Sequence, residues 1–263
     1  MPRLAANLTM MFTEVPFLDR FRAAAEVGFL GVEFLFPYDH EPEEIARVRK
    51  FSGVEVVLFN LAPGDWAKGE RGLACLPDRE VEFVESVERA LIYAAALDCP
   101  TLHVMAGIPP EGMDRAEALS LYVERLRLAA HRAADHDRTL VIEPLNDRDV
   151  PGYLLRTSTE AMQVIEAVGH PNLALQFDLY HTQIMEGDLT MRMRRLRRVI
   201  AHVQIAGVPD RHEPDSGECD PHHLLRELDA LKYPGWVGCE YRPKAATLDG
   251  LGWARRYLQG DAA

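Results

Sequence analysis

One pattern constrains this chain more than any other: a short apolar run followed by a stretch of helical spacing, repeated eight times. The apolar runs are residues 4–8, 31–36, 55–59, 101–105, 140–142, 173–177, 200–205 and 236–239. The helical stretches that follow them are 15–27, 42–51, 79–97, 115–135, 158–168, 188–198, 221–231 and 248–258. Parallel strands cannot be joined by a tight hairpin and need a crossover, usually a helix. Eight strand–helix units in a row therefore predict an α/β fold whose parallel strands close into a (β/α)8 TIM barrel. Such barrels take about 250 residues. The 263-residue chain accordingly predicts one domain over 1–263. The alternative is an open doubly wound sheet, but no GxGxxG follows the first run.

The helical stretches carry local signals of their own. Pro42 suits a first helical turn, and Glu43 and Glu44 favour the positive end of the helix dipole. In 79–97, Val81, Val84, Val87 and Leu91 are expected on one face, with Glu82, Glu85 and Arg89 on the other. Leu119, Tyr122, Val123, Leu126 and Ala130 are in phase in 115–135. Thr157 or Ser158 is the expected N-cap of 158–168.

Charge and composition narrow the partners. With 29 Lys+Arg against 41 Asp+Glu, the net charge is −12. An acidic surface repels phosphate backbones, so no nucleic-acid partner is expected. Hydrophobic residues at 48% suit a globular chain with a large core. The four cysteines, Cys75, Cys99, Cys219 and Cys239, form no CxxC pair and read as reduced, mostly buried thiols. No secretory signal opens the chain, and no apolar run reaches the ~18 residues of a membrane span. A cytoplasmic protein without membrane attachment is expected. Self-association is left open.

The chemistry of a barrel gathers at the C-terminal ends of its strands. The fifth run ends at Glu143, the sixth at Asp178, the seventh carries Gln204 and the eighth ends at Glu240. Three carboxylates around one axis would repel each other and resist ionisation, and a divalent cation relieves that conflict. Oxygen donors suit hard ions such as Mg2+ or Mn2+. The expected metal ligands are therefore Glu143, Asp178, Gln204 and Glu240. A plainer use of each carboxylate stays open: Glu240 pairing with Arg242, or Asp178 capping a short helix. The ends of the first four strands offer Asn7, Phe36, Asn60 and Met105.

Several segments point further: Ala6-Asn-Leu-Thr-Met-Met-Phe, Gly31-Val-Glu-Phe-Leu-Phe-Pro-Tyr, Gly64-Asp-Trp-Ala-Lys-Gly-Glu-Arg-Gly, Arg211-His-Glu-Pro-Asp-Ser-Gly-Glu and Gly235-Trp-Val-Gly-Cys-Glu-Tyr. Through them, essentially the whole chain resembles the hydroxypyruvate isomerase family, within the xylose-isomerase-like and endonuclease-IV-like barrels. The stretch from Gln204 to Pro214 and the Leu102-His-Val-Met-Ala-Gly segment resemble the 2-oxo-tetronate isomerase branch instead. The resemblance implies an aldose–ketose isomerase of small anionic sugar acids. Its acid–base pair falls on Glu143 and Glu240, which also bind the metal, and its other ligands on Asp178 and Gln204.

Hydroxypyruvate to tartronate semialdehyde is the first reaction expected, and 2-oxo-tetronate isomerisation the alternative. Ketose 3-epimerisation is a further one. One glutamate removes a proton next to a carbonyl and the other helps return one, through an enediolate. A hydride shift is the rival route. Arg211 is the expected grip on the substrate carboxylate, and His181 a donor to a substrate oxygen. Lys68 and Arg71 are further substrate-binding candidates in the long loop 60–77, which could act as a lid. An abasic-site endonuclease and a non-catalytic sugar-acid binder are the competing classes. The basic run Met191-Arg-Met-Arg-Arg-Leu-Arg-Arg reads as a solvated helix face.

Overall fold

The structure is a computed structural model and describes residues 1–258. The expected domain runs to 263, so its last five residues lie outside the described ones. Eight strands close into a barrel in chain order. They are β1 (Arg3–Asn7), β2 (Gly31–Phe34), β3 (Glu55–Asn60), β4 (Thr101–His103), β5 (Thr139–Ile142), β6 (Leu173–Asp178), β7 (Ile200–Ile205) and β8 (Trp236–Cys239). Every neighbouring pair is parallel, and β8 returns to β1. An open doubly wound sheet is thereby excluded.

Helices α1 (Phe17–Glu26), α2 (Pro42–Ser52), α3 (Glu80–Leu97), α4 (Arg115–Asp135) and α5 (Ser158–Val168) follow the first five strands. α6 (Leu179–Met185) and α7 (Leu189–Leu196) both follow β6. α8 (Pro221–Ala230) follows β7, and α9 (Arg255–Leu258) ends the described chain. The start of α5 is set by a capping box: Thr157 accepts from the Glu160 N–H, and Glu160 reaches back to the Thr157 N–H. This arrangement satisfies two otherwise orphaned donors.

Three expectations fail in instructive ways. The stretch 248–258 is a 3-10 helix over Thr247–Ala254 before it becomes α9, since Gly250 and Gly252 weaken a regular α-helix there. Val81 does not join the buried face of α3; it is 73% exposed, while Val87 and Leu91 are buried as expected, together with Phe83 and Ala90. Strands β2 and β4 stop at Phe34 and His103, short of Phe36 and Met105. Both stops lie under the mouth and change which side chains the first half of the barrel offers.

Candidate active site

Each strand from β5 to β8 delivers a polar group to the same end of the barrel. Glu143 follows β5, Asp178 closes β6, Gln204 lies in β7 and Glu240 follows β8. All four are buried, at 1–8% exposure. Asp178 also caps α6, its Oδ1 accepting from the Tyr180 N–H at 2.7 Å. The cap turns α6 directly off the strand and brings His181 into the same space. Oxygen or nitrogen atoms of Glu143, Asp178, His181 and Glu240 all lie within 4.8 Å of one another.

The electrostatics are those of a crowded, dry cluster. Burial is the largest influence on each carboxyl and raises it, with Glu240 and Asp178 adding to the rise at Glu143. Glu240 is pushed up to about 8, with Arg211 pulling the other way. Asp178 rises to about 6 against the same arginine. Two oxygens aimed into the cluster, Glu143 Oε1 and Asp178 Oδ2, have no hydrogen-bond partner among the described residues. Unpartnered buried oxygens of this kind are costly, and a hard divalent cation is the group that satisfies several at once. The donor set therefore fits such an ion.

His181 fits a different task. The Asn146 backbone N–H donates to His181 Nδ1 at 3.1 Å, so Nδ1 holds no proton. Burial keeps the ring neutral, with its pKa well below the ordinary value. The neutral ring then carries its proton on Nε2, 3.6 Å from Asp178 Oδ2 and 4.0 Å from Glu143 Oε1. It is a donor into the cluster rather than a free lone pair for a metal. Gln204 is also engaged: Nε2 donates to Glu33 at 2.8 Å and Oε1 accepts from Gln176 at 2.6 Å. The carbonyl oxygen keeps one further lone pair.

Arg211 stands on a tight hairpin closed by Gly207 and His212. Its φ of 57° is left-handed, a conformation that costs a non-glycine residue about 1 kcal/mol. The guanidinium pairs with Glu240, approaches Asp178 Oδ2 at 3.6 Å and Asp149 Oδ2 at 3.8 Å, and lies 4.9 Å from the Tyr180 ring centroid. Glu240 therefore pairs with Arg211 and not with Arg242. Arg242 is exposed and has no ion-pair partner among the described residues.

Above the cluster opens a cavity of about 320 Å³. Glu143, His181, Arg211 and Glu240 form its floor, and Trp66, Arg71 and Arg242 stand among its walls. Arg71 lies flat on Trp66, 3.7 Å from the ring centroid. Lys68 is not in this group. It is 82% exposed and ion-paired with Asp65 at 2.9 Å, away from the residues that line the cavity.

Sequence reasoning missed the first half of the barrel. His103 ends β4 and lines the cavity, with Nδ1 3.7 Å from Glu143 Oε2. Burial holds its pKa down at about 3, and Nε2 has no hydrogen-bond partner among the described residues. Glu33 on β2 is wholly buried among Asn7, His202 and Gln204. Both lie inside apolar runs, where only an alternation signal could have exposed them, and strands buried on both faces show none.

The fold and site have counterparts of known sequence. The xylose isomerase-like TIM barrel family matches residues 21–257. The 2-oxo-tetronate isomerase of Cupriavidus necator is 52% identical over 98% of this chain and 99% of the relative. The hydroxypyruvate isomerase of Escherichia coli is 44% identical over 98% of this chain and all of the relative. A solved structure described as an AP endonuclease, family 2, from Brucella melitensis superposes with a TM-score of 0.96. It is 53% identical over 98% of this chain and 99% of that one. A closed eight-stranded barrel, a floor of strand-end carboxylates and full-length identity of this order lead to one conclusion: the chain belongs to the xylose isomerase-like TIM barrel family.

Proposed function

We propose that this isomerase interconverts the 2-oxo and 3-oxo forms of a short sugar acid, with 2-oxo-tetronate ahead of hydroxypyruvate as substrate. One observation carries the reading: two buried glutamates, Glu143 and Glu240, share a single 4.8 Å cluster beneath a cavity walled by guanidinium groups. The four-carbon acid is put first because identity to the 2-oxo-tetronate isomerase is 52%, against 44% to the hydroxypyruvate isomerase. The sequence reading put the three-carbon acid first, and both remain within one reaction type.

The reaction moves a carbonyl between adjacent carbons. A carboxylate removes the proton from the carbon bearing the hydroxyl, and an enediolate forms. The second glutamate returns a proton to the former carbonyl carbon, while the hydroxyl proton passes from the oxygen that becomes the carbonyl to the oxygen that ceases to be one. Burial raises both glutamates, and neighbouring carboxylates add to the rise, Glu240 and Asp178 at Glu143 and Asp178 and Glu33 at Glu240, which suits groups that must hold and release a proton near neutrality. His181 Nε2–H donates to a substrate oxygen above Asp178. Arg211 holds the Glu240 carboxylate in place from the side. Arg71 and Arg242 offer N–H groups to the substrate carboxylate at the mouth. A divalent cation, Mg2+ or Mn2+, would be held by Glu143, Asp178, Glu240 and Gln204, and would supply polarisation of the substrate oxygens.

The deciding experiment is turnover of 2-oxo-tetronate beside hydroxypyruvate, first with EDTA and then with Mg2+ or Mn2+ restored. Cation-dependent conversion, with the larger kcat/KM for the four-carbon acid, is expected. Failure to convert either acid in the loaded protein overturns the reading. The description of the Brucella melitensis structure favours a second one, cleavage of abasic DNA. A net charge of −12 opposes it, and incision of an abasic duplex by the same preparation would establish it.

A further inference from the structure

Beneath the cluster lies a buried network that the chemistry above does not use. Glu33 Oε1 accepts from Asn7 Nδ2 at 2.9 Å and from Gln204 Nε2 at 2.8 Å. Glu33 Oε2 accepts from His202 Nε2 at 2.6 Å. A carboxylate inside a barrel is costly unless donors surround it. Here β1 supplies one donor and β7 two. The sheet is shaped to admit it: the β2–β3 register shifts between Val32 and Glu33, and such irregularities re-aim a side chain. A second shift, between Leu175 and Gln176, stands where Gln176 turns in to meet Gln204. On the other side of β1, β8 has Gly238, and a Cβ there would collide with the Glu33 carboxylate. The glycine leaves the room that the carboxylate fills.

We propose that Glu33 is a positioning residue for the Glu240 carboxylate and the Gln204 amide. Asn7 makes the first link. Its Nδ2 also donates to Glu240 Oε1 at 3.4 Å, and its Oδ1 accepts the Thr9 backbone N–H at 3.1 Å. The amide is held at both ends, so the place of Glu33 sets the place of Glu240 Oε1. Glu240 Oε2 is held separately by Arg211. The second link is a matter of polarity. A carboxylate only accepts, so the Gln204 NH2 must face Glu33 and the carbonyl oxygen must face away. Without Glu33 the amide loses the partner that fixes its orientation. The proposal rests on the isomerase reading only where Glu240 is treated as a reacting group.

The test uses Glu33→Gln, Glu33→Ala and Asn7→Ala, with kinetics on 2-oxo-tetronate, Mn2+ affinity by electron paramagnetic resonance, and a thermal melt of each variant. Glu33→Gln keeps an acceptor for Asn7 and Gln204 and is expected near wild type in kcat and Mn2+ affinity. Asn7→Ala and Glu33→Ala are expected to lose about 10–100-fold in both, with KM little changed. Wild-type kcat and Mn2+ affinity in Asn7→Ala overturn the proposal. So does a loss in Glu33→Gln as large as in Glu33→Ala, because the charge rather than the geometry would then matter. If Glu33→Ala does not fold, the other two variants decide. If the wild-type protein converts neither acid, the isomerase reading fails, and Mn2+ affinity alone still decides the positioning role.

Discussion

The two halves of the barrel do different work. Strands β5 to β8 and their loops bring Glu143, Asp178, His181, Arg211 and Glu240 to the mouth. Strands β1 to β4 bring Asn7, Glu33, Asn60 and His103, three neutral groups and one carboxylate that faces inward to other side chains. Charge that faces the cavity is thus concentrated in the second half, with Arg71 the exception, and Asn7 and Glu33 join the hydrogen bonds behind it from the first. A closed barrel permits this division because its last strand meets its first: β8 pairs with β1, so Asn7 can touch Glu240 across 233 residues of sequence.

The sharpest way to break this contrast is to neutralise the charged half. Glu143→Gln and Glu240→Gln should each reduce kcat by about 10²–10⁴-fold while leaving the fold intact. Steady-state rates and circular dichroism check this, and near-wild-type turnover in either variant would sink the two-glutamate mechanism. Next comes the cation. Mn2+ at 100 times its Kd should stabilise the protein by about 2.7 kcal/mol. That corresponds to roughly 5–10 °C in the melting temperature of a chain this size. Asp178→Asn should diminish the shift, and an unchanged shift would remove Asp178 from the ligand set.

Two loop residues sharpen the comparison further. Arg71 comes from the first half but lines the cavity. Arg71→Ala should forfeit a charge-assisted bond worth about 1.5–3 kcal/mol, and so raise KM by about 10–100-fold. An unchanged KM would leave the first half with a purely supporting role. Lys68→Ala should be nearly silent in thermal stability and in KM, because the side chain is exposed and paired only with Asp65. A clear rise in KM would return Lys68 to the site despite its exposure.

The sequence made the charged half easy to read. Glu143, Asp178 and Glu240 each follow directly on an apolar run, so the change in polarity marks the strand end. The bounds of α5, β7 and β8 were legible for the same reason, with Thr157, Ile200 and Trp236 marking abrupt starts. Glu33 and His103 were hidden because apolar neighbours flank them on both sides and both faces of their strands are covered. Helix α6 was hidden because its N-cap is Asp178 itself, a residue already read as the end of a strand. The tie between Arg211 and Glu240 depends on a left-handed backbone at Arg211, and nothing in the residue type announces that.

The loop after β3 is fastened at its root. Leu61 N–H bonds to the His103 carbonyl, Gly72 N–H to the Pro63 carbonyl, and Cys75 N–H to the Ala106 carbonyl. Gly72 sits at φ 123°, so close to the Met105 carbonyl that no side chain fits between. The tip is more exposed, with Trp66 41% exposed and resting on Phe36 and Arg71. A descendant adapting to a longer or shorter acid would therefore change at 66 to 68 and leave Glu70, which Arg79 and the Asp65 N–H hold, and 72 to 75 alone. The same partition gives a protein engineer a short stretch in which acceptable chain length can be retuned without disturbing the wall behind it.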